Sequence, residues 1–161
     1  LGVDFYKVIR NDINNDSLCK LLLQTKKPIY VSTGLSGMDS IANFMERHYS
    51  NEHDISLVHT QLSYKLAHCN LKCLETLRNS NVPISYGHHC DSITALELAL
   101  CFSPKAIFFY VKDNSTDDFP DNNHAINLNE VAPLISHLEK INCALGSGLK
   151  TLKEDLIKKQ Q

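Results

Sequence analysis

The residues best suited to chemistry lie in a strand-to-helix turn at residues 27–36, which read KPIYVSTGLS. A short apolar strand runs directly into a turn with two hydroxyl groups, Ser32 and Thr33, and with free backbone N–H groups. A helix that begins near Ser36 adds the positive end of its dipole. This arrangement predicts an anion site suited to phosphate. The alternative is that the polar residues of the turn only cap the helix.

The cysteines offer a second candidate site, because Cys69 and Cys73 are four residues apart on a predicted helix and His68 lies beside them. Two thiols without a second pair are weak evidence for a metal site, so packed or surface cysteines are the preferred interpretation. The six cysteines are scattered through a chain large enough to fold without disulfides, and we expect reduced thiols.

Five β-rich segments position these residues, and helix-like sequence follows each of them. Their starts advance by 22 to 28 residues, the pace of successive βα units, and this predicts a parallel sheet. Helix starts are indicated by the capping-box patterns Ser36 with Asp39 and Asn127 with Glu130, and by Asp91. The predicted strands are residues 5–9, 28–32, 55–60, 83–86 and 105–111.

The C-terminal part contains a long polar loop, a helix and a chain end. Residues 112–123 are rich in Asp, Asn and Ser, and long loops after strands often carry function. In the helix from Leu128, an apolar stripe should pack on the sheet. Residues 149–161 are predicted to form a packed terminal helix with a frayed end. The stripe consists of Val131, Leu134, Ile135, Leu138 and Ile141.

The bulk properties limit the class of protein. A chain of 161 residues suits a single domain, 1–161, but is too short for an eight-strand barrel of about 250 residues. The net charge of -2 and the pI near 6.5 give no reason to expect nucleic acid or an anionic membrane as a partner. No apolar run is long enough to span a membrane, and a cytoplasmic location is predicted.

Several segments together resemble the sialic acid (N-acetylneuraminate) synthase family, whose members condense phosphoenolpyruvate with an N-acetylated amino sugar on a TIM barrel. The similarity covers nearly the whole chain, in order and with compatible spacing. The matching segments are residues 2–8 (GVDFYKV), 27–36 (KPIYVSTGLS), 58–64 (VHTQLSY), 85–90 (SYGHHC), 105–111 (KAIFFYV), 123–128 (NHAINL) and 145–148 (LGSG).

The resemblance implies an α/β fold, a partial TIM (β/α)8 barrel with about five βα units that correspond to barrel strands four to eight. A half barrel exposes two strand edges and open core surface. The implied partners are therefore the remaining barrel strands or a homo-oligomer partner, together with phosphoenolpyruvate and an amino sugar if the protein is active.

The family binds the phosphate of phosphoenolpyruvate with lysine, serine and asparagine groups, and only some of them are present. Lys7 and Ser32 match two of these positions and supply a point charge and a hydroxyl group. Arg10 replaces a neighbouring serine and still suits phosphate. Leu62 and Gly87 replace an asparagine and a serine, and their side chains cannot bind phosphate.

The family's divalent ion, Mn²⁺ or Mg²⁺, is held by two histidines. His89 matches the first of them, whereas Tyr110 occupies the second position. A phenol stays protonated at neutral pH and is a poor ligand for such an ion. His88 or His124 are possible second ligands, although neighbouring residues of an extended strand point to opposite faces.

Of the remaining site residues that the resemblance implies, some are kept and others are replaced. Asp12 stands near an acidic position of the family's fourth strand, and His124 follows the last strand; both are candidate catalytic groups. Tyr64 is kept at a sugar-contacting position. Phe108 and Asn123 replace a glutamate and an aspartate, so two carboxylates are lost.

Three functions remain open from the sequence. The first is condensation of phosphoenolpyruvate with an N-acetylmannosamine-type sugar in nonulosonic acid biosynthesis. The second is a catalytically degraded homologue that acts as a binding or assembly module, which the altered site residues favour. The third is a different phosphate-binding α/β barrel.

Overall fold

A curled parallel sheet of five strands forms the centre of the chain. The computed structural model describes residues 2–113 and 120–150. The strands lie in the order β1-β2-β3-β4-β5, and every neighbouring pair is parallel. Their bounds are Tyr6–Val8 (β1), Ile29–Ser32 (β2), Ile55–Thr60 (β3), Ile84–Gly87 (β4) and Ile107–Phe108 (β5). The predicted succession of βα units is thus confirmed.

Five α-helices connect or follow these strands and cover the outer face of the sheet. β3 is buried at all six positions, as expected for a parallel strand covered on both faces. The core between sheet and helices includes Val31, Leu57, Phe44 and Leu96. The helices are Asp16–Gln24 (α1), Met38–His48 (α2), Cys73–Arg78 (α3), Thr94–Leu100 (α4) and Leu128–Leu145 (α5), and two short 3-10 helices lie at Arg10–Asn14 and Leu66–His68.

The last predicted strand is interrupted in the structure. After β5, the chain leaves the five-stranded sheet, and Val111–Lys112 (β6) pairs in parallel with Ile126–Asn127 (β7). The amide of Ile126 donates to the carbonyl of Tyr110 over 2.8 Å, which brings the returning loop against the end of the strand. A continuous strand over residues 105–111 was therefore wrong in detail.

Both predicted capping boxes differ from the structure. α2 begins at Met38 because the amide of Ser36 donates to the carbonyl of Thr33 in a turn, and Ser36 makes no capping box. α5 begins after Asn127 as predicted, but the Asn127 side chain donates to Glu130 rather than capping the backbone. The apolar stripe of α5 lies against α4, β6 and β7, and only Leu134 is fully buried.

Three aromatic rings fill the interior of the curled sheet. Phe5 directly precedes β1, Phe108 ends β5, and the Tyr30 ring of β2 lies between their rings. The Tyr30 ring centroid is 5.4 Å from that of Phe5 and 4.9 Å from that of Phe108. The sheet therefore curls enough for its two edges to face each other across the interior, as in one half of a barrel.

Other predictions concern the cysteines, the chain end and membranes. The six cysteines are free, in agreement with the expected reduced thiols. Leu149 and Lys150 are not helical, and residues 151–161 of the predicted terminal helix lie outside the described residues, as do loop residues 114–119. Within the described ranges, no helix is both long enough and apolar enough to cross a membrane.

Candidate functional site

A cavity of about 230 Å³ opens at the carboxyl ends of the strands, where TIM-barrel enzymes place their active sites. It brings together Lys7 of β1, Ser32 of β2 and His89 after β4, three residues that the sequence placed in a common site. Its other lining residues are Ile9, Thr60, Leu62, Tyr110 and Asp121.

Lys7 lines this cavity, and its amine lies over an aromatic ring. Its Nζ is 4.8 Å from the centroid of the Phe108 ring. Burial lowers the pKa of the Lys7 ammonium from its usual range. Among the described residues, no carboxylate forms an ion pair with Lys7. Lys7 is thus a cation that an anionic ligand would neutralise.

The turn after β2 divides the predicted anion site between two cavities. Ser32 is buried and lines the 230 Å³ cavity. The amide and the hydroxyl of Thr33 both donate to the carbonyl of Val58 over 3.0 Å, so this hydroxyl is engaged in holding the turn to β3. Thr33 and the start of α2 line a neighbouring cavity of about 620 Å³ instead. The positive end of the α2 dipole therefore lies at the larger cavity rather than at Ser32.

Gly34 is required in that turn by a close approach. A Cβ atom at this position would lie 2.9 Å from Cγ2 of Thr60, which is shorter than any normal contact. Thr60 in turn lines both cavities, and its buried hydroxyl has no hydrogen-bond partner within the described part of the chain. The glycine thus lets the turn pack directly against the methyl group of Thr60.

A group of four rings forms the outer wall of the site. His124 is buried, and its ring centroid lies 4.7 Å from that of His89 and 4.8 Å from that of Tyr110. Tyr64, which is 43% exposed, stacks on His124 at 5.4 Å. The fold thus joins the predicted catalytic, metal and sugar-contacting residues in one cluster.

His124 is an unusual member of this cluster. Neither ring nitrogen has a hydrogen-bond partner in the described ranges, and Nε2 lies 3.7 Å from Oδ1 of Asp121. Burial lowers the pKa of His124, although the nearby Asp121 charge opposes the shift. A neutral imidazole is therefore favoured, and it is able to accept a proton or bind a cation.

His88 lies apart from His89, as the alternation of strand residues predicts. Its ring contacts Tyr86 of the core, with centroids 6.0 Å apart, and only 1% of its surface is exposed. Burial, and then the charges of His124 and His89, lower the pKa of His88 to about 4. His88 is placed in the core rather than in the cavity lining.

The other predicted site residues lie outside the cavity lining. Asp12 lies in the first 3-10 helix, where its backbone carbonyl accepts a hydrogen bond from the amide of Asn15. Asn123 is exposed on the loop before β7. Arg10 belongs to the same 3-10 helix, and its side chain lies outside the described residues. The roles assigned to these three residues stay predictions.

Asp121 is the site residue that the sequence interpretation missed. It lines the cavity and approaches His124, whereas the predicted Asn123 does neither. Its carbonyl accepts hydrogen bonds from the amides of His124 and Ala125, which fold the loop back over the site. The signal available in the sequence was a carboxylate three residues before His124 in a loop that follows a strand.

The metal prediction depends on His89 and on the residues around it. Across residues 2–113 and 120–150, no three His, Cys, Asp or Glu side chains converge as metal ligands. His89 and His124 offer imidazoles, but Tyr110 stands where the resemblance implies the second histidine. Binding of Mn²⁺ or Mg²⁺ therefore stays a prediction, and within the described ranges Cys69 and Cys73 belong to no group of three metal-binding side chains.

A scan against protein-family models matches residues 1–150 to the NeuB family. The chain belongs to the NeuB family. The resemblance to sialic acid synthases is thereby confirmed.

Individual relatives agree with this assignment. N,N'-diacetyllegionaminic acid synthase of Campylobacter jejuni is 24% identical over 160 residues, which are 93% of this chain and 47% of the relative. N-acetylneuraminate-9-phosphate synthase of Mus musculus is 22% identical over 156 residues, 94% of this chain and 44% of the relative. The chain thus spans about half the length of the curated relatives that it matches.

A solved structure confirms the fold. The N-acetylneuraminic acid synthetase of Leptospira borgpetersenii, crystallised with citrate, superposes with a TM-score of 0.85 at 22% identity. The match covers 99% of this chain and 57% of that one. The curled sheet described above therefore has the fold of the corresponding part of that structure, consistent with a partial TIM barrel.

Proposed function

We propose that the complete protein joins phosphoenolpyruvate to an N-acetylated amino sugar of the N-acetylmannosamine type. Membership of the NeuB family supports a place in nonulosonic acid biosynthesis at a coarse level. The observation that carries the finer proposal is the meeting of Lys7, Ser32 and His89 in one cavity at the carboxyl ends of three strands.

In this reaction the Lys7 ammonium and the Ser32 hydroxyl bind the phosphate group, because both line the cavity and both suit anionic oxygens. Carbon three of the enol attacks the sugar aldehyde, and phosphate is released. Tyr64 lies at the open rim, where it suits contact with the sugar. The neutral His124 imidazole is placed to accept a proton beside His89.

The test measures phosphate release from phosphoenolpyruvate, N-acetylmannosamine and Mn²⁺, with the longest product of the gene. We expect sugar-dependent release that falls about 100-fold or more in His89→Ala, as for loss of one group that stabilises the transition state. His53→Ala is the matched control, since His53 precedes β3 and lies at the opposite end of the sheet. Equal rates in both variants would exclude His89 from the site.

A second candidate is a catalytically degraded homologue that binds ligands or assembles with partners without catalysis. The observation that favours it is Phe108, which stands at the family's glutamate position and packs on Tyr30 in the interior. Tyr110 likewise stands at a ligand position beside His89, with ring centroids 5.2 Å apart. Absence of phosphate release from a folded protein that still binds phosphoenolpyruvate would establish this candidate.

The variant Tyr110→His places a histidine at the position where the resemblance implies the second metal ligand, and its affinity for Mn²⁺ tests the metal site. We expect Tyr110→His to raise the affinity for Mn²⁺ by about tenfold or more, because an imidazole nitrogen replaces a protonated phenol beside His89 and His124. Isothermal titration calorimetry measures the change. Tyr49→His, remote from the cavity, is the control, and equal affinities in the two variants would contradict the prediction.

A further inference from the structure

Lys7 combines three features that suit it to a role beyond phosphate binding. Its amine lies over an aromatic ring, with Nζ 4.8 Å from the Phe108 centroid. It lines a closed-in polar cavity of about 230 Å³. No described carboxylate pairs with it, because the position that faces it on β5 holds Phe108. A lysine in such a setting is the type that serves as a covalent nucleophile.

The contrast with Lys105 shows that this setting is specific. Lys105 also lies near an aromatic ring, with Nζ 5.8 Å from the centroid of Tyr30. It forms an ion pair with Asp54, however, and sits before β5 at the opposite end of the sheet. A carboxylate partner keeps an amine protonated, and a protonated amine cannot attack a carbonyl group.

We propose that the Lys7 amine forms an imine with the carbonyl carbon of a small 2-keto acid bound in this cavity. The activity goes beyond the phosphate-binding role of the same residue, since a protonated amine binds phosphate and a neutral amine attacks carbon. It also requires no metal ion.

The step balances with the groups present. The nitrogen lone pair attacks the keto carbon, a C–N bond forms, and the carbonyl oxygen leaves as water with both amine protons. The hydroxyls of Ser32 and Thr60 line the cavity and are suited to the substrate carboxylate. The titratable groups that share the cavity with Lys7 are His89, Tyr110 and Asp121.

Burial makes the neutral form of the Lys7 amine available. Burial lowers the pKa of Lys7, and each unit of lowering raises its neutral fraction about tenfold at a pH well below the pKa. Once formed, the imine draws electrons from the neighbouring carbon, which supports addition to or cleavage of a carbon–carbon bond there.

The test is reductive trapping with pyruvate and sodium borohydride, in EDTA and without any amino sugar, on the longest product of the gene. Intact mass and peptide mapping then locate the reduced adduct. We expect Lys7 to be labelled at least about tenfold more than any surface lysine. Lys105→Arg should retain the adduct, and Lys7→Arg should lose it.

Phosphoenolpyruvate serves as a competitor in the same assay. Protection of Lys7 by it places the reacting amine inside the cavity, whereas an adduct unaffected by it would contradict that location. Adducts spread evenly over surface lysines, or none on Lys7 in a folded protein, would overturn the proposal. Since no phosphate release is measured, this result is independent of the test of the condensation reaction.

Discussion

Replacement of Lys7 by methionine is expected to weaken phosphoenolpyruvate binding by about 10- to 100-fold. A hydrogen bond to a charged group contributes about 1.5–3 kcal/mol, and each 1.4 kcal/mol is a factor of ten in affinity. Methionine preserves the packing of the chain against Phe108, over which the Lys7 amine lies. The loss of affinity therefore reports the charge rather than a cavity. Isothermal titration calorimetry with phosphoenolpyruvate measures it.

Lys105→Met is the matched control for this experiment. Lys105 carries the same charge near Tyr30, but it pairs with Asp54 at the far end of the sheet. Its replacement changes the net charge equally and should leave the affinity within about twofold, because charges that are well separated in solvent are screened by salt. Equal losses in the two variants would mean that Lys7 acts only through net charge.

Acidification is expected to destabilise the fold through His88. The folded state holds this buried imidazole neutral, with a pKa lowered to about 4, whereas the reference pKa is 6.5. As the pH falls below about 6.5, the unfolded chain binds a proton that the folded chain does not. Stability is therefore full above pH 6.5 and is lost progressively down to about pH 4. The loss is about 3 kcal/mol, because one pKa unit corresponds to about 1.4 kcal/mol.

The variant His88→Leu tests this prediction. Urea unfolding at pH 7.5 and pH 5 gives the free energy of unfolding, and the decrease between the two should be smaller in the variant than in the wild type. His59 and His124 will retain part of the decrease, because burial lowers the pKa of both. His137→Leu is the control, since His137 is half exposed and bonded to Glu97. If the free energy of unfolding decreased as much in His88→Leu as in the wild type, the prediction would be wrong.

The strands and their order along the chain could be predicted from the sequence because their signals are local. Short apolar segments at regular intervals predicted the five βα units, and residues 55–60 were placed without error. The interruption after Phe108 was missed because the apolar sequence continues through Val111. What ends β5 is a long-range pairing, in which the returning loop bonds to Tyr110.

Helix caps were predicted less well, since a capping box is only one of several ways to form hydrogen bonds at the start of a helix. Ser36 and Asp39 have capping-box spacing, but the chain uses the carbonyl of Thr33 to make a turn first. α1, by contrast, is capped by Asn15, whose side chain accepts from the amide of Leu18. Local pattern alone did not distinguish these two cases.

The sequence by itself determined the family and the parallel half barrel, and it predicted that Lys7, Ser32 and His89 lie in one site. These depend on residue types and on spacing along the chain, and the match of residues 1–150 confirms the family. Only the tertiary structure decided that Asp121 rather than Asn123 lines the cavity and that His124 rather than His88 approaches His89. The reason is physical: loop conformation and the curl of the sheet set distances between residues that are remote in sequence.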